Sequence, residues 1–204
     1  MSTPSFYNNL LPGSNFGVVK EVTAANYDRP ASAVTYAVGD IIGNSATAAS
    51  VIPLTFANAT RNTGNGATLK ILAAQCVVLP ASGALTVTAF DFDLLLFRPV
   101  ASIPFAAAAY PADNEALVLN EVMYRQLAAV IPFVAGAWRG PSGAVTSQTG
   151  AAYQAALPLT MSPSPVDLSD LTSASLIGVL QAKGAWASSN VVHTFTFNLL
   201  VDQN

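Results

Sequence analysis

The sequence predicts an all-β fold: a single β-sandwich domain of the jelly-roll type, with about eight strands and at most one short helix. Apolar and β-branched residues recur in short runs along almost the whole chain, and Gly, Pro, Asn and Ser separate these runs. Strands at short intervals with little helix are typical of a sandwich or barrel. The length of 204 residues indicates one domain.

The predicted strands are residues 51–60, 67–79, 84–97, 128–135, 152–160, 175–183 and 191–201, with residues 35–42 as the eighth. The last of them shows the clearest alternation. His193, Phe195 and Phe197 share one face, and Thr194 and Thr196 point the other way. This pattern predicts a strand that is buried on one side only.

One short segment is predicted to be helical. The Asn120 side chain can cap a helix over residues 121–127, and the first turn is acidic, as the helix dipole favours. Residues 1–33 are predicted to be an N-terminal arm, and residues 34–204 the sandwich domain. A Gly-, Ser- and Pro-rich tract at about 136–165 is predicted to be a loop or arm of that domain.

Charged residues are scarce. Eight Lys or Arg and eleven Asp or Glu make up 9% of the chain, against roughly 25% in ordinary soluble domains. Interface cores are the places where charge is depleted, so we expect neighbouring protein to cover much of this surface. A net charge of -3 and dispersed basic residues argue against a nucleic-acid partner.

The apolar composition, 52% of residues, also raises the question of a membrane. The best candidate span, residues 71–90, is interrupted by a Pro-Ala-Ser-Gly sequence and is predicted to be a hairpin instead. Residues 1–13 lack the basic and apolar regions of a secretory signal, so we expect no membrane partner and no export. Cys76, the one cysteine, is predicted to be a small buried core residue.

Asp91 and Asp93 are the candidate chemical pair. They flank Phe92 in a predicted strand, so both carboxylates would share one face about 6 to 7 Å apart. That separation suits a glycosidase or a metal site, yet no third ligand or acid partner is evident. The simpler prediction is structural, with the pair contacting Lys70, Arg98 or a neighbouring subunit.

No catalytic, metal-binding or cofactor-binding residue is predicted, and we expect the protein not to be an enzyme. His193 is the only histidine, and no Gly-x-Ser-x-Gly motif supports a Ser-His-Asp triad. A buried, hydrogen-bonded or interface role is favoured for it. Residues 113–115 are predicted to be a polar turn without the ligand spacing of an EF-hand.

The aromatic residues near predicted loops are candidates for partner contact. Trp138, Tyr153 and Trp186 belong to this group, together with Arg139 beside Trp138. Exposed aromatic rings can stack on sugars. Packing at the edge of the core or at a subunit interface is favoured over that role.

Several short motifs resemble a family of small tailed-bacteriophage virion proteins. They are GDII at 39–42, GNG at 64–66, FDLLLFRP at 92–99, ADN at 112–114, LIGVLQAKGAW at 176–186 and the final strand at 192–201. The resemblance implies a jelly-roll capsid decoration or cement protein located in the virion and made in the host cytoplasm. Its implied partners are further copies of itself, with a trimer preferred, and the major capsid protein or other virion proteins. The 136–165 tract departs from the family pattern.

Two further hypotheses remain open at this stage. A lectin-like head or tail module would use Trp138, Tyr153 or Trp186 on host glycans. A glycosidase would use Asp91 and Asp93.

Overall fold

The computed structural model describes residues 18–47, 52–59, 68–81, 86–97, 111–119, 121–140, 143–144, 147–149, 152–156, 166–167 and 175–203. The strands in this part of the chain are β1 (Val18–Thr23), β2 (Tyr27–Arg29), β3 (Thr35–Tyr36), β4 (Leu54–Phe56), β5 (Thr68–Pro80), β6 (Thr86–Thr88), β7 (Phe92–Phe97), β8 (Leu127–Phe133), β9 (Arg139–Gly140), β10 (Gly143–Ala144), β11 (Ser147–Thr149), β12 (Ala152–Ala156), β13 (Val166–Asp167), β14 (Leu176–Ala182), β15 (Trp186–Ala187) and β16 (His193–Gln203). Helix α1 (Glu121–Gln126) precedes β8 directly.

Two antiparallel sheets form the body of the fold. The large sheet has the order β1-β16-β5-β12-β9-β10, with β2 also paired to β16 and β13 to β5. The small sheet has the order β4-β14-β7-β8. Two short pairs, β3 with β15 and β6 with β11, lie outside these sheets.

The pairing of the principal strands is nested. Strand β1 pairs with β16, β4 with β14, β5 with β12, and β7 with β8, so the first of these strands meets the last and the two middle strands meet each other. Further pairings of β16 with β5 and of β14 with β7 complete the two sheets. This is the strand order of a jelly roll, in which a long antiparallel hairpin is rolled into two sheets. The predicted fold class is confirmed.

The main core lies between the two sheets. On β16, His193, Phe195, Phe197, Leu199 and Val201 are buried, which confirms the predicted inward face. Aromatic rings from the small sheet meet this face: Phe92 packs edge-on against Phe195 and Phe197 at centroid distances of 6.0 and 6.2 Å. Cys76 is fully buried on β5, as predicted.

The small sheet is buried on its other face as well. All six residues of β7 are buried, and Leu95 and Phe97 form a second apolar cluster with Ile41, Leu117 and Val179. Met123 of α1 packs against this cluster. The chain therefore covers the outside of the small sheet with its own segments. Among the described residues, no helix is long and apolar enough to cross a membrane.

The predicted N-terminal arm is wrong for part of its length. Residues 18–23 and 27–29 are β1 and β2, and both pair with β16 in the large sheet. Strand β1 is hard to recognise in the sequence because two exposed charged residues, Lys20 and Glu21, interrupt its apolar pattern. Strands at the edge of a sheet commonly carry such charges.

Other element boundaries also differ from the prediction. In the 35–42 segment only Thr35–Tyr36 forms a strand, since the turn at Gly39, with a φ of 97°, ends it. The predicted strand 84–97 is divided into β6 and β7. The predicted helix is confirmed as α1, whereas its cap Asn120 lies outside the described residues. The 136–165 tract contains the short strands β9 to β12.

The register of β16 can be tested by unfolding. Phe195→Ala is expected to cost about 3 to 5 kcal/mol, as large core aromatics do, because its ring is fully buried between the sheets. Thr196→Ala is expected to cost about 1 kcal/mol or less, since its hydroxyl only donates to Asn26 Oδ1 at 2.9 Å near the surface. Urea unfolding of both variants measures the difference, and equal losses would contradict the register.

Candidate functional site

The face of the large sheet that points away from the core is called here the outer face. Cross-strand partners in the register share a face, which places Glu21 beside Leu200 and Ala73 on this side. The following rows are Thr23, Asn198 and Gln75, then Thr196 and Val77. Leu200 is 39% exposed and Leu79 is 48% exposed, so these apolar side chains remain open to solvent in the single chain.

Charges on the outer face lie around its margin. Glu21 is on the edge strand β1, and Lys70 and Asp202 are cross-strand neighbours at one end. Asp28 lies at the other end, where its Oδ1 accepts a hydrogen bond of 2.6 Å from the Thr194 hydroxyl. On β16 and β5 the middle rows contain only Thr, Asn, Gln and Val, and Arg139 lies farther out in one of these rows, on β9. An uncharged centre with a charged rim is the pattern of protein interfaces.

A dimple of about 160 Å³ interrupts this face. It lies where the register shifts: Leu200 pairs with Ala73 and Val201 pairs with Ile71, so Leu72 forms a bulge. The side chain of Ala73 is too small to fill this volume. The residues that line the dimple include Glu21, Gln75, Asn198 and Leu200. The dimple has room for one large side chain.

A second notable arrangement is a buried polar cluster around Arg29. The guanidinium is fully buried, and its Nε donates to the Tyr36 hydroxyl at 2.6 Å. Its Nη2 donates hydrogen bonds to two atoms of Ser32, the carbonyl oxygen and, at 2.8 Å, the Oγ atom. Its Cζ lies 5.5 and 5.6 Å from the ring centroids of Tyr36 and Trp186, within cation–π range.

Asp113 supplies the negative charge of this cluster. Its Oδ2 lies 3.8 Å from Arg29 Nε, and its Oδ1 accepts hydrogen bonds from the Tyr36 hydroxyl at 2.6 Å and from Gly43 N at 2.8 Å. Burial raises the pKa of the Asp113 carboxyl, and these three partners oppose that shift. A Cβ atom at Gly43 would lie 3.1 Å from the Asp113 backbone, so this close approach favours glycine.

His193 closes the cluster on the side of β16. Its Nδ1 lies 3.0 Å from the Val191 carbonyl oxygen and 3.4 Å from Arg29 Nη1, and its Nε2 lies 3.3 Å from Ser189 Oγ. Burial, followed by the nearby guanidinium, lowers the pKa of His193 to about 4. The imidazole is therefore neutral at pH 7 and a weak base. The Nδ1 atom of His193 thus faces a backbone carbonyl and a guanidinium, at the position where a Ser-His-Asp triad would have a carboxylate.

Only one residue of the predicted pair of carboxylates lies within a strand, and the two have different partners. Asp91 precedes β7, and its Oδ1 accepts a hydrogen bond of 2.5 Å from Ala135 N. Asp93 lies within β7 and pairs with Lys183 Nζ at 3.3 Å. Lys70, the partner expected from the sequence, belongs to the other sheet, and Arg98 lies outside the described residues. Within the described ranges, no group of His, Cys, Asp and Glu residues could hold a metal ion.

Trp138 and Trp186 are not surface residues, which corrects their prediction as partner contacts. They are 1% and 3% exposed. Trp138 Nε1 donates to the Phe90 carbonyl at 3.0 Å, and Trp186 stacks on Phe90 with ring centroids 4.0 Å apart. The Gly and Ala residues beside both tryptophans look like loops in the sequence, yet the rings turn into the core.

The other two predicted contact residues lie in the large sheet. Arg139 begins β9 and is exposed, and its Nη1 donates to the Trp138 carbonyl at 3.0 Å. Tyr153 on β12 is paired with Arg139 on one side and with Val77 on the other. Because Val77 pairs in turn with Thr196, this register places Arg139 on the outer face.

Comparison with known proteins adds little to this description. No family model matches the chain, and no curated protein matches it. Among solved structures, the chain is similar to the decameric BFDV capsid protein, with 13% sequence identity and a TM-score of 0.34 over 92% of this chain and 99% of that chain. The strand order of the two sheets in this chain, described above, defines it as a jelly-roll β-sandwich.

The Arg29 cluster predicts strong coupling between its two charged members. Arg29→Met is expected to cost about 3 to 5 kcal/mol, because it leaves the Asp113 carboxylate buried without its cation. The double variant Arg29→Met/Asp113→Asn is expected to lose less stability than the sum of the losses in the two single variants, by about 1 kcal/mol or more. A double-mutant cycle by urea unfolding measures this coupling. Strictly additive losses would mean that the two groups do not stabilise each other.

The low pKa of His193 predicts a loss of stability in mild acid. Its folded-state pKa of about 4 lies below its ordinary value of 6.5, so the unfolded chain binds more protons between these pH values. The contribution to stability is therefore complete above pH 6.5 and declines as the pH falls toward 4. Asp113, whose pKa is raised, acts in the opposite direction.

His193→Gln isolates this contribution because it removes the titrating ring. The free energy of unfolding of the variant is expected to fall less steeply than that of the wild type between pH 6.5 and 4, measured in urea at a series of pH values. The Asp113 contribution is common to both proteins. Parallel pH profiles would show that His193 does not titrate in this range.

Proposed function

We propose that this chain is a virion structural protein, a capsid decoration or cement protein that binds copies of itself and the major capsid protein. The observation that carries the proposal is the outer face of the large sheet, whose centre is uncharged and whose apolar residues Leu79 and Leu200 are exposed. Jelly rolls are used by capsid and lectin domains, and the sequence motifs resemble phage virion proteins. The identity of the partner protein and the location of this chain in the virion are both part of this proposal.

The proposed mechanism is adhesion. Burying apolar surface across subunit boundaries contributes roughly 25 cal/mol per Å², from which the costs of association are subtracted. The strands of the small sheet are themselves covered on their outer side by residues of the same chain, and Val38, Val118 and Tyr124 of that covering are exposed. The large sheet is the side on which the strands themselves are open to a neighbour, and we assign the contact to it.

The proposal includes no catalytic activity. The two carboxylates that might have formed a glycosidase pair are engaged in the fold, Asp91 with Ala135 N and Asp93 with Lys183. The Ser189 and His193 side chains are held by the Arg29 cluster. These contacts support structural roles for all four residues.

The lectin-like alternative has weaker support in the structure. Two of its three proposed sugar-stacking residues, Trp138 and Trp186, are buried in the core and are not accessible to a glycan. A glycan-array experiment still separates the two functions. Specific glycan binding that is lost in Tyr153→Ala would favour the lectin, whereas a protein that binds particles but no glycan would favour the cement protein.

The decoration function predicts that the purified chain binds particles from which it has been stripped. We expect saturable co-sedimentation with such particles and greater resistance of the decorated particles to heat, because each bound copy bridges neighbouring shell proteins. Lys183→Ala is a suitable control, since Lys183 pairs with Asp93 on the small sheet and not on the outer face. A protein that has no affinity for stripped particles would contradict the proposed function.

A further inference from the structure

A short segment between β15 and β16 lies against the Arg29 cluster. This segment, residues 188–192, is called here the strap. The Ser189 carbonyl accepts a hydrogen bond of 3.3 Å from Arg29 Nη1, and Ser189 Oγ lies 3.3 Å from His193 Nε2. The Val191 carbonyl oxygen lies 3.0 Å from His193 Nδ1. Both nitrogens of the buried imidazole and one nitrogen of the buried guanidinium therefore contact the strap.

The other attachments of the strap are near its two ends. Ser188 N donates to the Val34 carbonyl at 2.9 Å, and Ser188 Oγ donates to the same oxygen at 3.0 Å. At the other end, Ala81 N donates to the Val192 carbonyl at 2.9 Å. The five strap residues, all of them described, lie outside the strands, and Asn190 is exposed. A segment of this kind can open locally while the sheets stay folded.

The contacts of His193 suit the neutral imidazole. Its Nδ1 can donate a hydrogen to the Val191 carbonyl, and its Nε2 then accepts the hydrogen of the Ser189 hydroxyl. Both ring nitrogens are satisfied in this tautomer. A further proton would place a second positive charge in the cluster, with His193 Nδ1 only 3.4 Å from Arg29 Nη1. Two cations at such a distance repel each other strongly in a buried site.

The elements around His193 do not supply a second carboxylate to pair with an imidazolium. Strand β2 contributes Arg29, and the 111–115 turn contributes Asp113, whose Oδ2 lies 3.8 Å from Arg29 Nε. The other neighbours in this part of the described chain are uncharged: Tyr27, Tyr36, Trp186, Pro80 and the strap residues. Burial raises the pKa of both phenols, so they stay neutral. The cluster thus holds one cation and one anion, and its charge is balanced only while His193 is neutral.

We propose that the strap is an acid-sensitive switch: uptake of a proton by His193 releases residues 188–192 from the Arg29 cluster while the two sheets stay folded. Once the strap is open, water reaches the imidazolium and the guanidinium and weakens their repulsion. This inference concerns a conformational change within one chain, so it goes beyond the proposed function and does not depend on it.

The direction of the switch follows from where His193 binds a proton more tightly. In the closed cluster, burial and then the guanidinium lower the pKa of His193 to about 4, whereas a ring in water has its ordinary value of 6.5. Acid therefore favours the open strap. Asp113 has the opposite sign, because burial raises the pKa of its carboxyl. Its hydrogen-bond partners Tyr36 and Gly43 lie outside the strap, so we expect opening to change its surroundings little.

Hydrogen exchange measures the opening of the strap. The amides of Ser188 and Val191 donate to the carbonyls of Val34 and Ser189 in the closed strap, so they report on it. Amides in the middle of β5 and β16 report on the sheets. Because the ring is protonated mainly in the open state, the opening constant is expected to rise about 100-fold between pH 7 and pH 4. The protection factors of the two strap amides are expected to fall by that factor, after correction for the intrinsic pH dependence of exchange.

The dependence of exchange on urea distinguishes local opening from unfolding of the whole domain. Local opening exposes little surface, so protection of the strap amides is expected to be nearly independent of low urea concentrations at both pH values. Protection of the amides in β5 and β16 is expected to fall with urea. Strap amides that share the urea dependence of β5 and β16 would overturn the inference, because the strap would then open only when the sheets unfold.

Two substitutions separate the effect of the proton from that of the contacts. His193→Gln removes the titrating ring, so the strap of this variant is expected to open equally at pH 7 and pH 4. Ser189→Ala is the matched control, because it removes the hydroxyl at His193 Nε2 and retains the ring. This control is expected to open more at both pH values and to keep the pH dependence. A His193→Gln variant with the pH dependence of the wild type would overturn the inference.

The wild-type protein provides a test that needs no substitution. His193 is the only histidine, so its ring resonances can be followed by NMR as the pH is lowered. The ring of the folded protein is expected to titrate well below its ordinary pKa of 6.5. Titration near that ordinary value in the folded protein would overturn the inference, because the closed strap would then accept the proton. Strap protection that is unchanged between pH 7 and pH 4 would overturn it as well.

Discussion

A stack of aromatic rings between the two sheets supports the rest of the structure. Phe90 is at its centre, with Trp186 at 4.0 Å on one side and Trp138 at 5.7 Å on the other, and Tyr36 continues the stack beyond Trp186 at 5.1 Å. These rings come from four segments that are distant in the chain. Since aromatic side chains bury more apolar area than any others, the stack fixes the relative position of those segments. The Arg29 guanidinium lies against its end.

The two sheets differ in what lies on their outer sides. The small sheet carries a second apolar cluster under residues of the same chain, so β7 has no face open to solvent. The large sheet presents an outer face that is uncharged in its middle rows on β16 and β5, with Glu21, Lys70, Asp202, Asp28 and Arg139 farther out. The fold alone assigns no function, so the chemistry of this surface has to be tested directly.

The sequence predicts the long, strongly apolar strands well because their pattern is local. Strand β16 alternates between core and surface, so its inward face can be identified residue by residue. Strand β1 cannot be identified in this way, since Lys20 and Glu21 are tolerated only because it is an edge strand. The Arg29 cluster is equally hidden. Arg29 and His193 are 164 residues apart, and only the nested pairing of strands brings them together.

The nested pairing also has a consequence for biosynthesis. Strand β16 lies between β1 and β5 in the large sheet, but it is translated after every other described strand. Long-range strand pairing is slow because the chain between the partners must be closed into a loop first. During synthesis β1 and β5 therefore lack their common neighbour, and the large sheet is completed only when translation has passed β16. Completion of the large sheet is thus a late event, and a product that ends before β16 lacks the strand that joins β1 and β2 to β5.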